Sequence, residues 1–241
     1  MIPVIDMHCD TIAEIYAAEE RGDWSLGLRK NGLMMDLERM KEGGYMCQSF
    51  ALFSHMGRLR EAGKDPFDHV CALSRTFDEQ MAANSDLISP VTTGSQIEDN
   101  MHKGLMSALK TVEEGAVYEG SIEKLECLYD MGVRKSTLTW NFENELAYPN
   151  RSVHDPRKGT TTCSGIDTEN GLKQAGFDFV LAMEDMGMLI DISHLNDAGI
   201  MDIFNTVRSD TPVIASHSNA RGVCMHPRNL SDEMLLKIAE H

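Results

Sequence analysis

Six short apolar or β-branched runs punctuate the chain, and their alternation with helical patterns constrains the fold more than any other feature. They lie at 2–8 (IPVIDMH), 45–53 (YMCQSFALF), 104–112 (GLMSALKTV), 133–140 (VRKSTLTW), 187–193 (GMLIDIS) and 211–216 (TPVIAS). Helix-like segments separate them. In 121–131, Ile122, Leu125, Leu128 and Tyr129 recur at helical spacing, and 169–186 places Leu172, Phe179, Met183 and Met186 similarly. Segment 66–83 opens at Pro66, which suits a first helical turn, and 231–240 opens with Ser-Asp-Glu-Met, an N-cap signal. Strands alternating with helices predict a mainly parallel sheet covered by helices. Near-continuous apolar runs such as 188–192 fit strands buried on both faces.

Two architectures satisfy this pattern, a closed barrel and an open doubly wound sheet. Polar residues favour the barrel, because groups of metal-ligand type end four of the six runs. In a (β/α)8 barrel, several strands supply the active site at their carboxyl ends. The expected fold class is therefore α/β, a (β/α)8 TIM-like barrel forming one domain over residues 1–241. Six runs are two short of eight, and the last helical pattern reaches His241 with no strand after it. The expectation is a barrel truncated after about six β/α units, whose unclosed strand edges favour association. The stretch from Asn141 to Thr168 is rich in Asn, Pro, Thr and Gly and is read as a long functional loop.

Composition narrows the function classes. Twenty-two basic against 38 acidic residues leave a formal charge of −16, which opposes nonspecific binding to nucleic acid or anionic membrane and suits cations. No stretch approaches the roughly 20 apolar residues that span a bilayer. The start, MIPVIDMHCDT, lacks the basic region of a secretory signal. Six scattered cysteines without a CxxC pair read as reduced thiols in a cytoplasmic setting.

The chemistry-bearing residues follow from strand geometry. His8 and Asp10 flank Cys9 at the end of the first run; positions i and i+2 of a strand face the same way, so both can converge on one cation. Glu113 and Glu114 follow Val112, and a carboxylate there can bridge two ions. His194 and His217 close two runs that both finish in Ser-His, 23 positions apart, about one β/α unit. Asp191 reads as a buried supporting group. Arg228, with Arg221 nearby, could hold a substrate carboxylate bidentately or pair with a surface acid.

These residues resemble the membrane dipeptidase (renal dipeptidase) family of zinc peptidases, within the amidohydrolase-like metal-dependent barrels. The resemblance rests on DMHCDT at 6–11, TVEEGAVYEG at 111–120, MGVRKSTLTWN at 131–141, GMLIDISH at 187–194 and PVIASHSNARGVCMHPRNLSDEML at 212–235. It implies two zinc ions: His8 and Asp10 on one, His194 and His217 on the other, with Glu113 rather than Glu114 as the bridge. It further implies hydrolysis of dipeptides by a hydroxide bridging the zinc ions, with Glu113 and Arg228 catalytic and Arg228 on the substrate's carboxylate. Trp140 and Asn141 stand where the family carries a substrate-contacting histidine. The family's aspartate from the last barrel strand has no counterpart before His241. Other implied possibilities are a hydrolase acting on amides or lactones, and a noncatalytic metal-binding fragment. The expected partner is a dipeptide, with a homodimer left open.

Overall fold

A computed structural model describes residues 2–155 and 160–241. In chain order the elements are β1 (Val4–Cys9), α1 (Thr11–Glu20), α2 (Leu37–Glu42), β2 (Tyr45–Phe53), α3 (Met56–Ala62), α4 (Pro66–Ala83), β3 (Ile88–Val91), α5 (Gly94–His102) and β4 (Met106–Glu113). A 3-10 turn (Gly115–Tyr118) leads to α6 (Ile122–Asp130), β5 (Lys135–Thr137), β6 (Arg151–Asp155), β7 (Thr160–Gly165), α7 (Gln174–Asp185), β8 (Leu189–Asp191), α8 (Asp197–Thr206), β9 (Val213–Ile214) and α9 (Asp232–Glu240). Among the described residues, no helix is long and apolar enough to cross a membrane.

The chain divides into two compact units. The first comprises Met1–Val112 with Glu126–Arg134. Its strands are parallel: β1 pairs β2, with Val4 opposite Tyr45 and Cys9 opposite Phe50, and β3 pairs β4, with Ile88 opposite Met106. Phe50, Leu52, Val70, Leu73, Phe77 and Ala108 are fully buried between sheet and helices. The Thr111 hydroxyl donates to the Phe50 carbonyl at 3.1 Å, tying β4 to β2. Lys110 is buried on β4, and its ammonium reaches Ser74 Oγ at 2.8 Å, Asp78 Oδ1 at 2.7 Å and the Met131 carbonyl at 2.9 Å.

The second unit comprises Glu113–Leu125 with Lys135–His241. Here β5 runs parallel to β8, with Thr137 opposite Asp191, and β8 runs parallel to β9, with Asp191 opposite Ile214. Asn196 caps α8 by accepting from the Gly199 amide at 2.8 Å, and Ser231 caps α9 by accepting from Met234 at 3.3 Å. The segment expected to be one long loop contains an antiparallel ribbon, β6 with β7, where Ser152 lies opposite Cys163 and Val153 opposite Thr162. Proline, asparagine and glycine around it obscure two short strands, RSVHD and TTTCSG, whose mainly polar residues give no apolar run. The late strands are also shorter than the apolar runs suggest, because the chain turns out of the sheet before each histidine.

Glu184 fastens α7 to the turn before β9. Its carboxylate accepts the Arg208 amide at 2.8 Å and the Thr211 hydroxyl, with the Arg208 guanidinium 3.1 Å away. Burial raises the Glu184 carboxyl, but the Thr211 hydroxyl, the Arg208 amide and its guanidinium outweigh it and hold the group below its ordinary value. The stabilisation is therefore complete above the unfolded carboxyl's pKa of about 4.3 and is lost as pH falls through the lower folded value. Glu184→Gln is expected to cost about 1–3 kcal/mol at pH 7 in urea unfolding. The gap from wild type should narrow at pH 3; an equal gap at both pH values would contradict this role.

Candidate metal centre

Glu113 is the last residue of β4. His194 and His217 each lie three residues beyond the ends of β8 and β9. In the second unit these three side chains meet. His194 Nε2 lies 3.0 Å from Glu113 Oε1, His217 Nε2 lies 3.4 Å from the same oxygen, and the two Nε2 atoms are 2.8 Å apart. Glu113 and His194 are buried, and His217 is partly exposed.

The ring hydrogen bonds say what these atoms offer. His194 Nδ1 faces Asn141 Oδ1 at 3.4 Å, an atom that only accepts, so the imidazole proton is assigned to Nδ1 and Nε2 carries its lone pair. Burial pushes His194 down to about 4, against the opposing pull of Glu113, so the ring is neutral at pH 7. His217 Nδ1 lies 2.8 Å from Ser216 Oγ, again on the side away from the cluster. Two imidazole nitrogens and a buried carboxylate oxygen therefore crowd one point, and a cation relieves their mutual repulsion. Borderline nitrogen and oxygen donors of this kind fit zinc.

Backbone strain concentrates here. His194 sits at φ 72° and Glu114 at φ 86°, in the left-handed half where side chains other than glycine are uncommon. Glu114 plays a different part from its neighbour. Its Oε1 accepts the Ala116 amide and the Asn144 side-chain amide, both at 3.0 Å, and its own N–H donates to Thr137 Oγ1 at 3.0 Å. It is fully buried, and that burial raises its carboxyl to about 7. Glu113 thus presents its carboxylate to the histidines while Glu114 shapes the turn that follows. Asn144, which steadies Glu114, carried no motif that would single it out in the sequence.

The remaining predicted residues are placed as follows. In the first unit, His8 Nε2 lies 3.2 Å from Asp10 Oδ1, with Asp10 one residue past β1 at the N-cap of α1, and Cys9 is buried. In the second unit, the Trp140 ring stands 6.0 Å from His194 and 5.8 Å from Phe142. Trp140 and Asn141 therefore both lie against His194. Arg228 is part-buried, with Nη2 3.4 Å from the His217 carbonyl; burial lowers its pKa, opposed by the Glu113 and Asp191 carboxylates. Arg221 is engaged elsewhere, in a bidentate pair with Asp197 at 2.7 Å on both arms.

Residues 1–241 match the profile of the membrane dipeptidase family (peptidase family M19). The chain belongs to the membrane dipeptidase family. Among curated relatives, it is 33% identical over 249 residues to an uncharacterised dipeptidase of Schizosaccharomyces pombe, covering 99% of this chain and 57% of that protein. It is 27% identical over 216 residues to the dipeptidase aclJ of Aspergillus oryzae, covering 86% of this chain and 47% of that one. The chain thus spans about half the length of these dipeptidases. Among solved structures, it is similar to a metallopeptidase of Rhodobacter sphaeroides liganded with a phosphinate mimic of the dipeptide L-Ala-D-Ala. The TM-score is 0.84 at 23% identity, covering 100% of this chain and 72% of that chain. That likeness gives the membrane dipeptidase chain its fold class, parallel α/β of the TIM-like barrel type.

Proposed function

We propose that this chain carries the metal site of a zinc-dependent dipeptidase. The observation behind the reading is the meeting of Glu113 Oε1, His194 Nε2 and His217 Nε2 within 3.4 Å of one another. By the family resemblance, His8 and Asp10 would also serve as metal ligands. When bound, the zinc ions supply a water acidic enough to attack a peptide carbonyl near neutral pH, together with positive charge for the developing oxyanion. The chain's own residues do the rest. His194, kept neutral by burial, offers Nε2 with Asn141 Oδ1 at its Nδ1, and His217 offers Nε2 with Ser216 Oγ at its Nδ1. Arg228, whose Nη2 reaches the His217 carbonyl at 3.4 Å, takes the carboxylate of the dipeptide. Trp140 and Asn141 wall the site next to His194. A cytoplasmic location fits the sequence reading and is part of the proposal.

The test is a hydrolysis assay on chelator-stripped protein, with and without added zinc, against a dipeptide panel and a lactone panel. Zinc-dependent turnover of dipeptides is expected; turnover of lactones alone would replace this reading with the wider amidohydrolase one. In the same assay, Arg228→Ala is expected to raise KM for dipeptides roughly 30-fold, the equivalent of ~2 kcal/mol of lost charge-assisted pairing. An unchanged KM would remove Arg228 from the substrate's carboxylate.

A further inference from the structure

Lys135 on β5 and Asp191 on β8 form an ion pair at 3.1 Å in which neither side chain is more than 1% exposed. A buried pair of this kind is weak evidence for stability, since desolvating both charges offsets much of their attraction. What distinguishes it is where the other carboxylate oxygen points. Asp191 Oδ1 accepts the Ser193 amide at 3.0 Å and the Ser216 amide at 3.1 Å. Those two amides belong to the residues immediately before His194 and His217. The two loops are tied again by hydroxyls: Ser193 Oγ and Ser216 Oγ are 3.3 Å apart, and the His217 amide donates to Ser193 Oγ at 3.2 Å. One carboxylate therefore gathers its own strand's loop and the neighbouring strand's loop at the same height.

We infer that Asp191, charge-balanced by Lys135, is a positioning residue that fixes the separation of His194 and His217 and so delivers both imidazoles to a cation already arranged. The inference rests on the metal reading above and assigns a role to two residues that touch no substrate. Burial opposes ionisation of Asp191, but Lys135, the Ser216 hydroxyl and the two amides outweigh it, so the carboxylate stays charged. Removing the lysine strips the carboxylate of its 3.1 Å ion-pair partner, and the anchor common to the two loops loosens. Supporting groups behind metal-binding histidines are typically worth 10–100-fold in metal affinity.

The experiment measures zinc affinity by competition with a chromophoric chelator for wild type, Asp191→Asn, Lys135→Met and Lys135→Arg. Amide exchange at Ser193 and Ser216 is followed in the metal-free proteins. Asp191→Asn and Lys135→Met are each expected to weaken zinc binding about 10–100-fold and to speed exchange at both amides. Lys135→Arg, which keeps the charge, should restore affinity to within a few-fold of wild type. Should Asp191→Asn fail to fold, the two lysine variants carry the comparison alone. Wild type binding zinc no better than folded Asp191→Asn or Lys135→Met would overturn the inference while leaving the metal site intact. A wild-type chain that binds no zinc would overturn the metal reading itself, and the inference with it.

Discussion

His217→Ala is expected to reduce zinc-dependent dipeptide hydrolysis by roughly a thousandfold or more and to lower bound zinc measurably. His217 Nε2 stands 2.8 Å from the partner imidazole and 3.4 Å from Glu113, so its loss opens the cluster on its more exposed side. Removing a nitrogen donor from such a set lowers affinity directly and leaves Glu113 with excess negative charge in a buried place. Because His217 lies in a loop and is partly exposed, alanine there should leave the fold intact. Near-ultraviolet circular dichroism and elemental analysis of the purified variant give the two controls. Hydrolysis that survives with unchanged zinc content would mean that the metal is held elsewhere.

The second large effect is on stability. Gly115 opens the turn after the two glutamates, and a Cβ there would sit 2.4 Å from the Leu138 carbonyl oxygen and 2.9 Å from Leu146 Cδ1. The obstacle is backbone, and the same carbonyl already accepts the Asn144 side-chain amide at 2.7 Å. No side chain can swing away to relieve the overlap. Gly115→Ala is expected to cost about 3 kcal/mol, at the upper end of overpacking penalties, and to lower Tm by roughly 6–12 °C. Zinc affinity should fall as well, because the turn positions Glu113. A melting temperature within two degrees of wild type would show that the segment after β5 at Leu138 can move to make room.

Part of this site is legible in the sequence because parallel strands end on a common side. That rule marks His194 and His217, which follow β8 and β9, as neighbours; Glu113 is preferred over Glu114 only through the family resemblance, and Asp10 lies past β1 as the N-cap of α1 rather than on the strand with His8. The run at 45–53 coincides with β2, Tyr45–Phe53, because its apolar residues extend to both ends of the strand. The rule failed where side chains direct the backbone. β8 and β9 stop at Asp191 and Ile214, and no periodicity reports that Asp191 draws the amides of Ser193 and Ser216 into turns. Lys135 carries no signal of its own in the sequence, because a charged residue inside an apolar run reads as noise until its buried partner Asp191 is known. β3 was missed because four residues containing Pro90 make too short a signal, and the β6–β7 ribbon because turn-forming residues surround it.

Both late histidines are indexed from the ends of their strands, three positions past Asp191 and three past Ile214. Each imidazole is thus placed by a fixed count of residues from its strand, and Asp191 keeps the two counts level by taking the Ser193 and Ser216 amides. A single residue inserted between Ile214 and His217 would shift one imidazole against the other and undo that match.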